Sequence, residues 1–313
     1  MSKSVKSSSV IADALPENWV DRFAPAQIKP YLKLARFDRP VGAWLLLFPC
    51  WWGQALAELA GDRSAPNLWY LLLFVIGAFV MRGAGCTWND IIDRDYDGRV
   101  ERTALRPIPA GQVSVKRALL FAVGLSLIGF LVLIQFNVFT IFLGIASLGL
   151  VAIYPFSKRF TYWPQVVLGL TFKWGALVGW SAIHGSLALA PLLLYAGCVC
   201  WTIGYDTIYA HQDKDDDAVL GLKSTALRFG ARTPQWLTLF YGAALVLWFA
   251  AVLIAQGAAP LTYAALVSTA LILIWQVVTL DTEDGSNCLL RFKSNRFVGW
   301  LFFAGLLGDI ALF

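Results

Sequence analysis

Residues 67–97 read NLWYLLLFVIGAFVMRGAGCTWNDIIDRDYD, and this stretch indicates the class of fold. Its first part, 67–88, is an apolar run of about 20 residues, the length of an α-helix that crosses a hydrocarbon core of about 30 Å. Its second part is a dense cluster of acidic residues. The stretch therefore predicts a membrane-spanning helix with a charged end.

The composition of the whole chain agrees with a membrane protein. Of the 313 residues, 58 % are hydrophobic and only 14 % are charged, against about 25 % charged in a soluble domain, and the mean hydropathy is +0.63. These values exclude a disordered protein, a nucleic-acid-binding module and an ordinary soluble enzyme. The five cysteines are scattered without a CxxC pair, so we predict neither a zinc site nor a disulfide framework.

Apolar runs recur along the chain and predict an all-α protein with nine transmembrane helices. Short connections between them carry one basic residue, Arg63, whereas the long connections and the N-terminal segment carry nearly all Lys and Arg. The positive-inside rule then places the N-terminus and the long connections in the cytoplasm. The runs lie at about 41–60, 67–88, 117–136, 138–156, 164–183, 187–207, 235–256, 259–280 and 296–313.

The expected organisation is a cytoplasmic segment, 1–33, followed by a single transmembrane domain, 34–313. The tetrapeptide TALR occurs at 103–106 and again at 225–228, each time after an acidic cluster. Those two clusters end the second and the sixth span, four spans apart. The repetition predicts two four-helix pseudo-repeats followed by a ninth helix.

The first acidic cluster follows an NDxxDxxxD pattern at the end of the second span. Asn89, Asp93 and Asp97 share one face if the helix continues through them, and Asp90 adjoins that face. Like charges one turn apart repel, so a helix gains nothing from this arrangement unless a cation binds there. Carboxylate oxygens combined with a substrate phosphate are ligands that Mg²⁺ accepts readily. The cluster therefore predicts a magnesium site.

The second acidic cluster ends the sixth span. Asp206, Asp213 and Asp217 are spaced i, i+7 and i+11 and fall on one face of a continuous helix. Two such clusters that face each other would hold metal ions that bridge a diphosphate. The alternative interpretation is two solvated cytoplasmic loops that are acidic by chance.

Basic residues flank both clusters and predict contacts with the diphosphate. Arginine binds phosphate through paired hydrogen bonds, and lysine binds it as a point charge. The alternative for each residue alone is an ordinary cytoplasmic loop charge. The set comprises Arg99, Arg102 and Arg106 after the first cluster, Lys223, Arg228 and Arg232 after the second, and Lys158 and Arg159 between the fourth and fifth spans.

A diphosphate at the rim of an apolar helix bundle suggests a polyprenyl diphosphate, because its tail needs an apolar cavity. Mg²⁺ and the basic groups would stabilise the charge that develops as the C–O bond ionises. The allylic cation that results needs a nucleophile and the exclusion of water.

The sequence resembles the UbiA-type intramembrane aromatic prenyltransferases, and within them the 4-hydroxybenzoate polyprenyltransferases of ubiquinone biosynthesis. The resemblance runs from about Leu34 to the C-terminus, and it implies nine helices around a central cavity and a dependence on Mg²⁺. The matching stretches are LARFDRPVGAWLLLFPCWW (34–52), NDIIDRDYDGRVERTALRPIPAG (89–111), YPFSKRFTYWPQVVLGLTFKWGALVGW (154–180) and YDTIYAHQDKDDDAVLGLKSTALRFG (205–230).

The resemblance implies a role for each residue at a matching position. Asn89, Asp90, Asp93 and Asp97 would serve one Mg²⁺, and Asp213 and Asp217 the other. Arg159 and Lys158 would bind the diphosphate, with Arg102, Arg106, Lys223 and Asp206 as further substrate contacts. Arg36 would bind the carboxylate of the benzoate, since a cation at the mouth of the bundle pairs with a carboxylate bidentately; the alternative is a juxtamembrane charge.

The resemblance departs at Lys173, where similar sequences often carry Asn. A charged lysine in the middle of a span is costly unless it is paired or lies in a wet cavity. Arg82 and Asp309 raise the same question, and these charges could form structural pairs.

We therefore expect an Mg²⁺-dependent enzyme that transfers a polyprenyl group from polyprenyl diphosphate to the ring of 4-hydroxybenzoate, meta to the carboxylate. The expected setting is a lipid bilayer, in a bacterial inner membrane with the site facing the cytoplasm; protein partners are not predicted. One alternative is a relative with another acceptor, such as dihydroxynaphthoate, homogentisate or haem. A remote alternative is an ion transporter, although transporters place ionisable groups nearer the bilayer midplane.

Overall fold

The computed structural model describes residues 18–61, 65–100, 103–255 and 259–312, and within these ranges it contains helices and no strands. The α-helices are α1 (Trp19–Phe23), α2 (Lys29–Leu34), α3 (Val41–Ala60), α4 (Leu68–Asp97), α5 (Val115–Leu133), α6 (Val138–Ile153), α7 (Ser157–Phe160), α8 (Pro164–Phe172), α9 (Gly175–His184), α10 (Leu189–Ala210), α11 (Lys214–Val219), α12 (Thr225–Phe229), α13 (Thr233–Ala255), α14 (Pro260–Val278) and α15 (Gly285–Leu312).

The predicted membrane architecture is confirmed. Eight helical segments in the described ranges are long and apolar enough to cross a bilayer. The first predicted span corresponds to α3, which is also 20 residues long and buried along most of its length. The fifth predicted span is divided into α8 and α9 by a short turn. The all-α polytopic fold is therefore correct, and the cytoplasmic location of the N-terminus stays a prediction.

The last span begins about one helical repeat and a half earlier than the predicted start at 296. Asp284 explains the difference, because its carboxylate accepts hydrogen bonds from the backbone N–H groups of Ser286 (2.8 Å) and Asn287 (3.2 Å). A side chain that bonds the free N–H groups of the first turn starts a helix. The polar residues 285–295 are thus helical rather than part of a loop.

The described residues fall into two compact units. The first is made of residues from Met1–Pro40 and Val80–Leu127, and the second of residues from Val41–Phe79 and Ile128–Phe313. In the first unit, Leu34 packs in a small core with buried apolar side chains that include Ile91, Ile108, Val113 and Ala118. The division into a leading segment and two pseudo-repeats stays a prediction.

The core of the second unit is centred on the indole of Trp52, on α3. Its ring contacts those of Phe48, Trp201, Trp248 and Phe302 at centroid distances of 4.8 to 6.2 Å. All five side chains are fully buried, and Trp52 also donates from Nε1 to the carbonyl of residue 299 at 3.1 Å. An indole in a dry interior needs such an acceptor. This cluster joins α3, α10, α13 and α15.

Helices α3 and α9 approach closely through glycines. A Cβ at Gly53 would meet the Ala176 carbonyl, and one at Gly179 would meet the Cys50 carbonyl. Small residues at facing positions allow this approach, as is usual between helices in membranes. Any larger residue at these positions would push the two helices apart.

Helices α14 and α15 form a pair with a charged side chain at each end of α14. The Asp309 carboxylate, fully buried, accepts from the backbone N–H groups of Leu261 (3.0 Å) and Thr262 (2.7 Å). Arg291 donates from Nη2 to the Thr279 carbonyl at 2.9 Å, beyond the other end. Both charges complement the helix dipole. The role of Asp309 is therefore helix capping.

Candidate functional site

Helix α4 continues through the first acidic cluster, as the spacing predicts. Asp90 and Asp93 are fully buried and Asp97 nearly so, whereas the side chain of Asp95 on the same helix is 72 % exposed. The amide of Asn89 donates to Asp93 Oδ2 at 3.0 Å. The buried acids therefore lie on one face of α4, and the exposed Asp95 lies on another.

Two arginines hold this row of carboxylates. Arg36 Nη2 lies 2.6 Å from Asp90 Oδ1. Arg106 Nη1 lies 2.6 Å from Asp97 Oδ2 and 3.4 Å from Asp90 Oδ1, so it bridges the two acids. Buried carboxylates need such partners, because burial of an unpaired charge is costly. The structure thus brings together four of the predicted site residues.

Arg36 has an unusual backbone conformation, with φ of 60°. Its N–H donates to the Lys33 carbonyl and that of Phe37 to the Leu32 carbonyl, which is the hydrogen-bond pattern of a Schellman motif at the end of α2. That position usually carries glycine, since other residues are strained there. Burial opposes the charge of the guanidinium, but the negative charge of Asp90 outweighs this effect and raises the pKa of Arg36.

The chain after α4 folds back onto the cluster. Thr103 Oγ1 donates to the backbone carbonyl of Asp97 at 2.8 Å, and the turn from Thr103 to Arg106 is closed by a backbone hydrogen bond of 2.9 Å. The first TALR tetrapeptide therefore forms the turn that delivers Arg106 to the acids. Arg102, predicted to contact the substrate, lies outside the described residues.

The second acidic cluster is not on one continuous α-helix, and this part of the sequence prediction was wrong. Helix α10 ends at Ala210, His211–Asp213 is a 3-10 turn, and α11 begins at Lys214. A 3-10 turn advances by a third of a circle per residue, so the α-helical spacing from Asp206 to Asp213 and Asp217 does not hold. All three acids are partly exposed on this helical run.

His211 anchors the 3-10 turn rather than facing solvent. It is buried, and its Nε2 lies 2.9 Å from Thr233 Oγ1, at the start of α13. The Thr233 hydroxyl in turn donates to the Gly230 carbonyl at 2.8 Å. The imidazole therefore ties the second acidic cluster to the next span.

The basic loop around Lys158 and Arg159 is joined to the segment that follows the second cluster. The backbone N–H of Lys223 donates to the Lys158 carbonyl at 2.9 Å. Lys223 Nζ donates to the Phe160 carbonyl at 3.3 Å, and its ammonium lies 5.4 Å from the ring centre of Tyr162. The structure thus brings Lys158 and Lys223 together within the second unit, and it leaves the Arg159 residue exposed.

Sequence reasoning missed three buried polar residues that brace this junction. Gln165 Oε1 accepts from the backbone N–H of Thr225 at 3.1 Å. The hydroxyls of Thr207 and Thr225 are 2.6 Å apart. Gln165 stands directly after the proline that begins α8, and a polar residue at the start of an apolar span was the available signal.

The fit of these residues to Mg²⁺ depends on chemistry more than on the observed arrangement. Hard oxygen donors are what the ion requires, and both clusters supply them. Among the described residues, however, no group of three or more His, Cys, Asp or Glu side chains is arranged to hold a metal ion. The donor types fit the ion, and the predicted ligand sets remain to be tested.

Comparison with known proteins agrees with the resemblance in the sequence. The profile of the UbiA prenyltransferase family matches residues 46–306. A mitochondrial 4-hydroxybenzoate polyprenyltransferase of Caenorhabditis elegans is 48 % identical over 290 residues, covering 92 % of this chain and 81 % of the relative. The corresponding protein of Arabidopsis thaliana is 46 % identical over 291 residues, with 93 % and 71 % covered.

Solved structures show the same fold. An apo structure of a UbiA homolog from Aeropyrum pernix K1 superposes with a TM-score of 0.71 at 26 % identity, covering 84 % of this chain and 97 % of that one. A UbiA homolog from Archaeoglobus fulgidus bound to GPP and Mg²⁺ superposes with a TM-score of 0.63 at 19 % identity, covering 90 % and 99 %. The family match and the high identity to its relatives show that the chain belongs to the UbiA prenyltransferase family.

Proposed function

We propose that this protein transfers a polyprenyl group from a polyprenyl diphosphate to the ring carbon of 4-hydroxybenzoate that is meta to the carboxylate, and releases diphosphate. The row of buried carboxylates on α4, held by Arg36 and Arg106, is the structural observation that carries the diphosphate half of this proposal. The acceptor follows from the names of relatives that are 46 to 48 % identical to this chain.

The reaction breaks the allylic C–O bond, whose electron pair leaves with the diphosphate. A C–C bond then forms at the activated ring carbon, and the ring proton is lost. Lys158, Arg159 and Lys223 would bind the diphosphate and stabilise its growing charge. Arg36 would orient the benzoate through its carboxylate. Arg102, Arg106 and Asp206 complete the proposed substrate contacts.

Mg²⁺ is the proposed cofactor. Asn89, Asp90, Asp93 and Asp97 would hold one ion, and Asp213 and Asp217 the other. When bound, the ions would neutralise diphosphate charge during ionisation. The buried apolar interior of the second unit keeps water away from its spans, and exclusion of water protects a reactive allylic cation from hydrolysis.

The protein is an integral membrane protein. We propose the quinone-forming membrane as its site of action. The relatives compared above are mitochondrial, and these names do not support the predicted bacterial inner membrane.

Product formation in membranes that contain the protein tests the proposed reaction. Labelled 4-hydroxybenzoate and a long-chain prenyl diphosphate should give labelled lipid with Mg²⁺ and none with EDTA, because the ion is needed for ionisation. Product in EDTA would contradict the metal assignment. Lack of product with 4-hydroxybenzoate but turnover of dihydroxynaphthoate or homogentisate would contradict the acceptor.

Neutral variants of the acids test the ligand assignment. We expect D93N and D213N to lower turnover by about 100-fold or more, since each removes a charge that would hold Mg²⁺. The matched controls are D95N and D216N, which remove an exposed acid from the same two segments and should leave turnover within about twofold. Equal losses in a control and its partner would argue against a specific site.

A further inference from the structure

Lys173 is a fully buried cation between α8 and α9, at depth in a membrane span. Its Nζ donates to the carbonyl oxygen of Leu45, on α3, at 2.6 Å. The same ammonium lies 4.6 Å from the ring centre of Trp201 and 5.3 Å from that of Tyr205, both on α10. One side chain therefore contacts three helices of the second unit.

The Leu45 carbonyl is a particular acceptor because of Pro49, which lies inside α3. In an α-helix the carbonyl of residue 45 accepts from the N–H of residue 49. Proline has no N–H, so this carbonyl cannot be satisfied within its own helix. In the interior of a membrane protein, such a freed carbonyl must be satisfied by a neighbouring helix. Lys173 supplies the donor that Pro49 lacks.

The break between α8 and α9 is satisfied in a similar way. The Tyr195 hydroxyl, on α10, donates to the Leu170 carbonyl at 2.7 Å. The backbone resumes with hydrogen bonds from Ala176 to Lys173 and from Leu177 to Trp174, each spanning three residues instead of four. Both discontinuities of the backbone are thus held by polar side chains at one level of the bundle.

The three helices that meet at Lys173 lead to proposed diphosphate contacts. Helix α8 follows the loop of Lys158 and Arg159. Tyr205, beneath the ammonium, precedes Asp206 on α10, and α10 leads into the turn that ends at Asp213. A change in the seating of Lys173 would alter the spacing between the basic loop and the second acidic cluster.

We propose that Lys173 is a positioning residue for prenyl transfer: by bonding the carbonyl that Pro49 leaves free, it fixes α3, α8 and α10 in the spacing that the diphosphate site requires. The proposal rests on the proposed function for its catalytic consequence. Its structural half is independent of any substrate.

A double-mutant cycle between Lys173 and Pro49 tests the proposal. K173M keeps the length of the side chain and removes the donor. We expect it to lower the Tm of the purified protein by about 5 °C and to raise the KM for the prenyl diphosphate about tenfold. P49A restores a backbone N–H at residue 49. In the P49A background, K173M should change both quantities by less than half as much, because the Leu45 carbonyl has its own partner.

Two matched controls separate this effect from general ones. K116M removes an exposed lysine, and P234A removes a proline from the first turn of α13, where its missing N–H matters little. Neither should reduce the effect of K173M. Equal losses from K173M with and without P49A would overturn the proposal.

The two readouts also separate positioning from stability alone. A coupled Tm with an unchanged KM would show that Lys173 only stabilises the fold and would overturn the positioning role. If K173M yields no folded protein, recovery of folded protein in the P49A/K173M variant supports the proposal, and equal absence overturns it. The Tm cycle needs no substrate, so failure of the proposed reaction would be recognised separately.

Discussion

At the scale of single residues, Arg36 combines a cost and a gain. Its left-handed backbone is strained by roughly 1 to 2 kcal/mol, while its guanidinium pairs with the fully buried Asp90 at 2.6 Å. Removal of one partner of a buried pair typically costs about 3 to 5 kcal/mol. The pair therefore outweighs the strain, which explains why arginine occupies a position that favours glycine. Its contact with the benzoate stays a prediction.

We expect R36G to be less stable than the wild type although it relieves the backbone. The Tm should fall by several degrees, since the Asp90 carboxylate loses its shortest contact. The double variant R36G/D90N removes both charges and should be no less stable than R36G. Thermal unfolding in detergent measures all three proteins. An R36G variant more stable than the wild type would contradict this account.

Asp38 is buried without a hydrogen bond to either carboxylate oxygen among the described residues. Arg39 Nε lies 3.5 Å away. Burial raises the pKa of Asp38 despite the nearby positive charges of Arg39 and Arg36. A carboxyl group with a raised folded-state pKa destabilises the protein as the pH rises from its unfolded pKa, about 3.9, through the folded one.

The variant D38N lacks this titration and should gain in relative stability as the pH rises. We expect its Tm, relative to the wild type, to be higher at pH 7 than at pH 4 by about 2 °C or more. Thermal unfolding of both proteins across this range is the measurement. A difference that narrows with rising pH would contradict the sign.

At the scale of elements, the pairing of α14 with α15 depends on a buried cap. Asp309 satisfies two N–H groups of the first turn of α14. We expect D309A to lower the Tm by about 3 °C or more, since loss of a cap costs about 1 to 2 kcal/mol and no water replaces it inside a bilayer. D216A, at an exposed acid, is the control. An unchanged Tm in D309A would exclude a stabilising cap.

At the scale of the whole molecule, the charge pattern of the connections predicts the topology. Ser186 lies in a short connection and should face the outside, whereas Glu283 lies in a long one and should face the cytoplasm. Cysteine introduced at each position should react with an impermeant maleimide from opposite sides of sealed membranes. Both residues are exposed. Labelling of both from one side would contradict the alternation of the spans.

The sequence by itself determined the membrane class, the approximate positions of the spans and the helical face of the first acidic cluster. These properties depend on composition, on run length and on the 3.6-residue period, all of which are local. Local spacing failed where the backbone changed its own period, at the 3-10 turn of His211–Asp213.

Only the tertiary structure decided the partners of the buried charges. Arg36 pairs with Asp90, 54 residues away, and Lys173 bonds the Leu45 carbonyl, 128 residues away. Asp309 caps a helix that begins 49 residues earlier in the chain. A charge that enters an apolar interior must find a polar partner, but which partner it finds depends on which helices pack together, and no local pattern encodes that.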